Sequence, residues 1–286
     1  MKRVLGVYDA ADPHWIGDGF PVVSLFSYQR HGARVSPFLQ LDYAGPHEFA
    51  PAATPRGIAA HPHRGIETVT FCVQGGFAHR DSAGQGGLLL PGDVQWMTAG
   101  AGLLHEELHS PAFTQRGGTL EALQLWINLP AALKWTAPAY QPIAGANIPC
   151  IEIPGGRLRL VAGDCDAVRA PARPRTPMAV WELVLEGGEP FEWRMPEGWS
   201  ALLVALHGAA ALADGTRLGA RQTAIFEREG NVVRIAAAPR LHALLLSGEP
   251  IDEALAGRGP FVMNTPAELE QAFADAAAGR FGRMPD

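Results

Sequence analysis

Glycine and proline break this chain into short pieces. There are 33 glycines and 24 prolines among 286 residues. The apolar runs between them are too short for ordinary helices and the right length for strands. Strands are expected at 22–28, 38–43, 67–74, 87–90, 93–97, 105–109 and 120–129. A second group is expected at 179–185, 200–207, 222–226, 232–236 and 241–247. Gly75-Gly76, Pro91-Gly92-Asp93 and Gly100-Ala101-Gly102 mark turns. In the run Leu123–Ile127 apolar residues dominate, as expected of a strand covered on both faces. The fold class that follows is all-β.

The two groups of strands share a turn density that suggests a drifted internal duplication. Between them an Ala- and Pro-rich stretch, about 131 to 149, reads as a linker. The expected organisation is an N-terminal domain at 1–135, a linker at 136–150 and a C-terminal domain at 151–286. The proline-rich segment 169–177 reads as a loop. The tail differs from both halves. Thr265 can cap a helix, Pro266 suits its first position, and Glu268 can close a capping box. Leu269, Ala272, Phe273 and Ala276 then recur at helical spacing, and Gly279 is placed to stop the helix.

Composition excludes several function classes. A hydrophobic content of 47% with 18% charge fits a globular chain. A net charge of −6 disfavours nucleic acid and anionic membrane as direct partners. No apolar run reaches the roughly 18 residues of a membrane span. The start, Met1–Tyr8, is too short in apolar residues for a signal peptide. Cys72, Cys150 and Cys165 give neither a disulfide framework nor a Cys-x-x-Cys site, and read as buried, reduced thiols of a cytoplasmic protein.

Chemistry is concentrated in two tracts, His61-Pro62-His63 and His105-Glu106-Glu107. Residues i and i+2 of a strand share a face. Neighbouring strands carrying these tracts would aim three imidazoles and a carboxylate at one point inside a barrel. That donor set suits Fe(II), Mn(II), Cu(II), Ni(II) or Zn(II). Pro62 lacks an amide donor, which favours an edge strand. His105-Glu106-Glu107-Leu108-His109 also spells the zinc-protease pattern His-Glu-x-x-His, but that motif requires a helix. The glycines at 100 and 102 and Ser110-Pro111 argue for a strand instead.

Other residues carry weaker expectations. Glu67 is expected to support the site or the fold rather than ligate, and Arg64 to be structural. His79 is expected at the surface. Trp96 and Trp126 are expected in the core. Eight of the ten histidines precede residue 110. His207 and His242 stand without a His-x-His companion, so any metal is expected in the first block.

Four stretches together resemble the pirin family of bicupins: HPHRGIETVT (61–70), PGDVQWMTAGAGLLHEE (91–107), LQLWINLP (123–130) and GPFVMNT (259–265). The resemblance implies two cupin-type β-barrel (double-stranded β-helix) domains face to face, with a C-terminal helix. It implies a metal in the N-terminal barrel held by His61, His63, His105 and Glu107, with Fe(II) the first choice and other divalent ions as alternatives. The usual cupin glutamate is present as Glu67, but pirins resemble a variant in which the His-x-Glu carboxylate binds instead. The implied activity is quercetin 2,3-dioxygenase on a flavonol-like aromatic substrate, with Glu107 also the catalytic base. The alternative is an iron-dependent regulatory protein that binds a protein partner without significant turnover. The lengthened, proline-rich segment 50–60 bears on the pocket mouth and hence on the substrate.

Overall fold

The structure is a computed structural model that describes residues 1–187 and 189–285. Its strands, in chain order, are β1 (Val4–Asp9), β2 (His14–Ile16), β3 (Phe20–Ser27), β4 (Phe38–Phe49), β5 (Gly57–His63), β6 (Ile66–Gln74), β7 (Phe77–Asp81), β8 (Gly86–Leu89), β9 (Val94–Thr98), β10 (Leu103–His109), β11 (Gly118–Asn128) and β12 (Ala139–Ile143). They continue as β13 (Cys150–Ile153), β14 (Gly156–Ala162), β15 (Met178–Leu185), β16 (Phe191–Arg194), β17 (Ser200–Leu212), β18 (Arg217–Leu218), β19 (Gln222–Phe226), β20 (Val232–Gly248), β21 (Ala256–Arg258) and β22 (Phe261–Met263). The fold is all-β, as the punctuation of the sequence predicts.

The chain divides into two compact units, and neither is continuous. One comprises 1–11, 25–40 and 147–250; the other comprises 12–24, 41–146 and 251–286. Reading each barrel as one uninterrupted stretch gives no cue to this interleaving. The first strand, β1, pairs antiparallel with β19 of the later block. The last helix belongs to the unit built by the earlier block.

In the unit containing the histidine tracts, a four-stranded sheet runs β5-β10-β7-β8 and a seven-stranded sheet runs β12-β9-β6-β11-β4-β3-β2. β5 is an edge strand, which is where Pro62 can be accommodated without a lost ladder bond. The stretch expected as a linker carries β12, which pairs along its whole length with β9. Its alanine and proline content hid the strand, because Tyr140 and Ile143 are its only large apolar positions. One end of this barrel is filled by Phe49, Phe77, Leu89, Phe113 and Leu120.

The C-terminal helix, Pro266–Ala277, has the capping box expected from its sequence: Thr265 Oγ1 accepts from the Glu268 amide, and the Glu268 carboxylate accepts from the Thr265 amide. Leu269 and Ala272 bury against Phe261 and Phe281. Arg64 ties the helix to the barrel through a buried pair with Asp275 at 2.8 Å. Its guanidinium also donates to Ala101 O at 2.6 Å and covers the Phe281 ring at 4.6 Å. Arg64 is therefore a structural residue.

The other unit contains a nine-stranded sheet with the path β1-β19-β17-β20-β15-β14-β13; β16 pairs with β20 and β18 with β17. The two expected strands at 232–236 and 241–247 are one strand, β20. Its core is continuous and apolar, with Leu160, Trp181, Leu183, Trp193, Leu203 and Leu245 all buried. No helix among the described residues is long and apolar enough to cross a membrane. Of the cysteines, Cys72 is buried, Cys165 half-buried and Cys150 exposed, so the expectation of three buried thiols fails at Cys150.

Candidate metal centre

The site is assembled by strand alternation. In β10, Leu103, His105, Glu107 and His109 are buried while the residues between them are partly exposed. This is a strand with one inward face, and it removes the helical protease reading. His105 lies opposite His61 of β5, and a register shift follows before Glu107. On its other side β10 pairs with β7, where Glu107 lies opposite His79. His61, His63 and His105 thus come together with ring centroids 4.2 to 5.0 Å apart.

Each imidazole has one nitrogen committed and one unpartnered or free to ligate. His61 Nδ1 lies 2.9 Å from Ala59 O, and His63 Nδ1 lies 3.2 Å from Pro260 O. Donation to those carbonyls leaves Nε2 of each as the lone-pair nitrogen. His105 Nδ1 lies 3.5 Å from Nδ1 of His79. The Nε2 atoms of His63 and His105 are buried and have no hydrogen-bond partner, a costly state for a polar atom that a bound cation would relieve. Burial, reinforced by the neighbouring His61, pushes His63 down to about 3. Burial likewise holds His105 well below the usual histidine range and lowers His61. The three rings are therefore neutral near pH 7, which is the ligating form. Thr68 Oγ1, on the same face of β6 as Thr70, is a further buried and unpartnered polar atom.

The donor atoms of His61, His63 and His105 all lie within 4.8 Å of one another, as do those of His79, His105 and Glu107. These are two groups able to hold a metal ion, and His105 belongs to both. The four residues singled out in the sequence thus reach one region through the shared His105, with Glu107 grouped with His105 and His79.

His79, expected at the surface, is buried. It stacks on Tyr140 with a 4.9 Å centroid separation and a 10° interplanar angle, and its Nε2 faces Asp81 at 3.5 Å. The sequence signal for it was the alternation Phe77, His79, Asp81, which puts all three on one buried face of β7. Glu67 supports the fold instead of the ion, accepting from Thr98 Oγ1 at 2.8 Å on a fully buried side chain. Trp96 is core. Trp126 is not; it stands edge-on to His63 at 4.9 Å and lines the site.

Glu107 is held by residues that no motif had marked. Gln95 Nε2 donates to its Oε1 at 2.7 Å, Thr70 Oγ1 to Oε1 at 3.1 Å, and Gln124 Nε2 to Oε2 at 2.6 Å. Gln95, Thr70 and Gln124 form one transverse row across β9, β6 and β11, since Thr70 pairs with both glutamines. A polar residue inside an apolar strand run, as in Leu123-Gln124-Leu125, was the available signal. Gln124 and Trp126 face the site while Leu123, Leu125 and Ile127 are buried on the opposite face, so β11 is not apolar on both sides.

The C-terminal segment completes the centre. Pro260 supplies the carbonyl that orients His63. Lys134, buried and pushed down to about 7 by desolvation, donates to Gly65 O, Asn128 Oδ1 and Val262 O. The turn after His63 must come within contact of this segment. Gly65 has φ +79, and a Cβ there would stand 2.0 Å from Val262 O, so glycine is required.

Comparison with known proteins agrees with this architecture. Residues 19–127 match the family model described as Pirin, and residues 180–282 match the pirin C-terminal cupin domain. A Pseudomonas aeruginosa protein named "Putative quercetin 2,3-dioxygenase PA2418" is 48% identical over 285 residues, covering 99% of each chain. A pirin-like protein of Solanum lycopersicum is 38% identical over 87% of this chain and 82% of its own. The crystal structure of a quercetin 2,3-dioxygenase from Acinetobacter baumannii is similar with a TM-score of 0.96 and 46% identity, covering 99% of both chains.

Proposed function

The chain belongs to the pirin family, and from that premise we propose that it is a metal-dependent dioxygenase acting on flavonols of the quercetin type. The observation that carries the reading is the convergence of three imidazoles, two of which, His63 and His105, bury an Nε2 atom that has no hydrogen-bond partner. The name of the 46%-identical Acinetobacter baumannii enzyme supports the substrate class. His61, His63, His105 and Glu107 hold the ion, with Fe(II) the first candidate among divalent transition metals. When bound, such an ion supplies a Lewis acid and a template for the 3-hydroxyl and 4-carbonyl oxygens of a flavonol.

The remaining work falls to the protein. Ala59 O and Pro260 O fix the rings of His61 and His63, so the ligating nitrogens do not exchange roles. Glu107 Oε2 receives the proton of the 3-hydroxyl; the O–H bond breaks and its electron pair stays on the substrate oxygen. Trp126 offers a flat apolar wall beside His63 for an aromatic substrate.

Turnover tests the reading. Full-length chain loaded with Fe(II) under anaerobic conditions is mixed with quercetin and air, and flavonol absorbance and carbon monoxide are followed. Metal-dependent loss of absorbance with carbon monoxide release is expected, and a His61→Ala, His63→Ala double variant should lose it. Equal rates in the two proteins would remove the dioxygenase assignment. A wild-type chain that binds iron without turnover, and changes its protein partners with iron oxidation state, would point to the regulatory alternative.

A further inference from the structure

The two glutamines that hold Glu107 are themselves held. Trp126 Nε1–H donates to Gln124 Oε1 at 3.3 Å, and Tyr140 O–H donates to Gln95 Oε1 at 3.1 Å. An indole nitrogen can only donate, so the oxygen of Gln124 must face it and the amide NH2 must face the carboxylate. The same order holds on the other side, because a carboxylate cannot accept from an amide oxygen. Thr70 Oγ1 takes further N–H groups from Gln95 at 3.1 Å and Gln124 at 3.5 Å while donating to Glu107. The network closes on itself.

An ionised carboxylate offers about four lone-pair positions. Oε1 of Glu107 uses two of its own, on Gln95 and Thr70, and Oε2 uses one, on Gln124. We propose that the Tyr140–Gln95 and Trp126–Gln124 pairs are positioning clamps that make Glu107 a single-oxygen donor, with one lone pair on Oε2 left for the centre. This inference deepens the metal-centre reading and rests on it. One free lone pair serves the ion or the substrate proton, one at a time. It also explains why a strand otherwise filled with apolar residues keeps an amide at 124: without it, Oε2 would have two open positions and no fixed orientation.

The test uses the full chain loaded with Co(II), whose visible absorption reports on the donor atoms around it. Affinity is measured by chelator competition, and thermal stability is followed alongside. Gln95→Leu and Gln124→Leu are expected to weaken Co(II) binding by about 10- to 100-fold, the usual effect of removing the groups that orient ligands, and to shift the visible bands. Tyr140→Phe removes one donor with little change in volume or Tm, and Trp126→Phe removes the other donor together with part of the ring beside His63. They should weaken binding by a smaller factor, and add little once their own glutamine is already leucine. On a Glu107→Ala background all four effects should vanish. Affinities and spectra of the four variants within twofold of wild type would overturn the clamp, as would losses that persist undiminished without Glu107. The underlying reading fails separately: in that case wild type and His63→Ala alike take up no cobalt. Wild-type binding that is lost in His63→Ala, together with neutral clamp variants, sinks the clamp alone.

Discussion

The interiors of the two barrels are built from opposite materials. In the unit with the histidine tracts, one end is apolar, around Phe49, Phe77 and Phe113. The other end holds His61, His63, His79, His105 and Glu107, fenced by Gln95, Thr70 and Gln124. In the other unit the core is occupied by Trp181, Trp193 and leucines from five strands. Of its three histidines, His31 is buried, while His207 and His242 lie at exposed and half-buried positions and stack on each other at 5.9 Å. Among the described residues, that unit has no group of three metal-capable side chains. A barrel interior can be packed for stability or equipped with polar donors, and each donor must then be answered by a partner. Both units hold buried polar atoms without a partner, scattered in one at His31, Trp193 and Ser200; in the other the unanswered Nε2 atoms of His63 and His105 belong to adjacent rings 4.9 Å apart, which is the mark of a site.

The comparison is most directly broken at His105. His105→Leu should abolish binding of a divalent ion, at least about 100-fold by the scale of ligand-supporting losses. The Tm of the metal-free protein should move by only a few degrees, because the ring removed carried an unsatisfied buried nitrogen. Metal titration and thermal unfolding of the apo-protein check both halves. A large apo destabilisation with metal affinity kept would reverse the assignment of roles.

Trp193→Ala is the mirror experiment. Removing a fully buried indole should cost about 3–5 kcal/mol in denaturant unfolding, while the stoichiometry of bound metal stays that of wild type. Loss of metal in this variant would mean that the second barrel's packing is needed for the centre.

A smaller effect is expected in pH, where burial lowers His63 in one barrel and His31 in the other. His63 takes a proton near pH 6.5 when unfolded but only at about 3 when folded. The unfolded chain therefore binds more protons between those values, and stability falls as pH drops from about 6.5 toward 3. Denaturant midpoints of metal-free protein across that range should decline, and His63→Leu should flatten the part of the slope due to this ring. An unchanged slope in the variant would assign the acid sensitivity elsewhere.

Much of this was legible locally. Strand alternation around His61, His63, His105 and Glu107 is a property of i and i+2 spacing, and the capping box at Thr265 and Glu268 spans one helical turn. What was misjudged has a common cause. His79 and Gln124 look unremarkable until the sheet pairings set His79 beside Glu107 and Gln124 beside Thr70. The strand at Ala139–Ile143 has weak apolar content and exists through its ladder with β9.

The residue pattern by itself determined the all-β class, the helix at the tail and the choice of barrel that could carry a metal, because strand and helix periods and donor types are written within a few neighbouring residues. The tertiary structure decided which carbonyl orients His63, from Pro260 at a separation of 197 residues, and which amides restrain Glu107. It also decided that β1 joins the later block. Those choices depend on register between strands far apart in the chain, and side-chain period alone does not encode register.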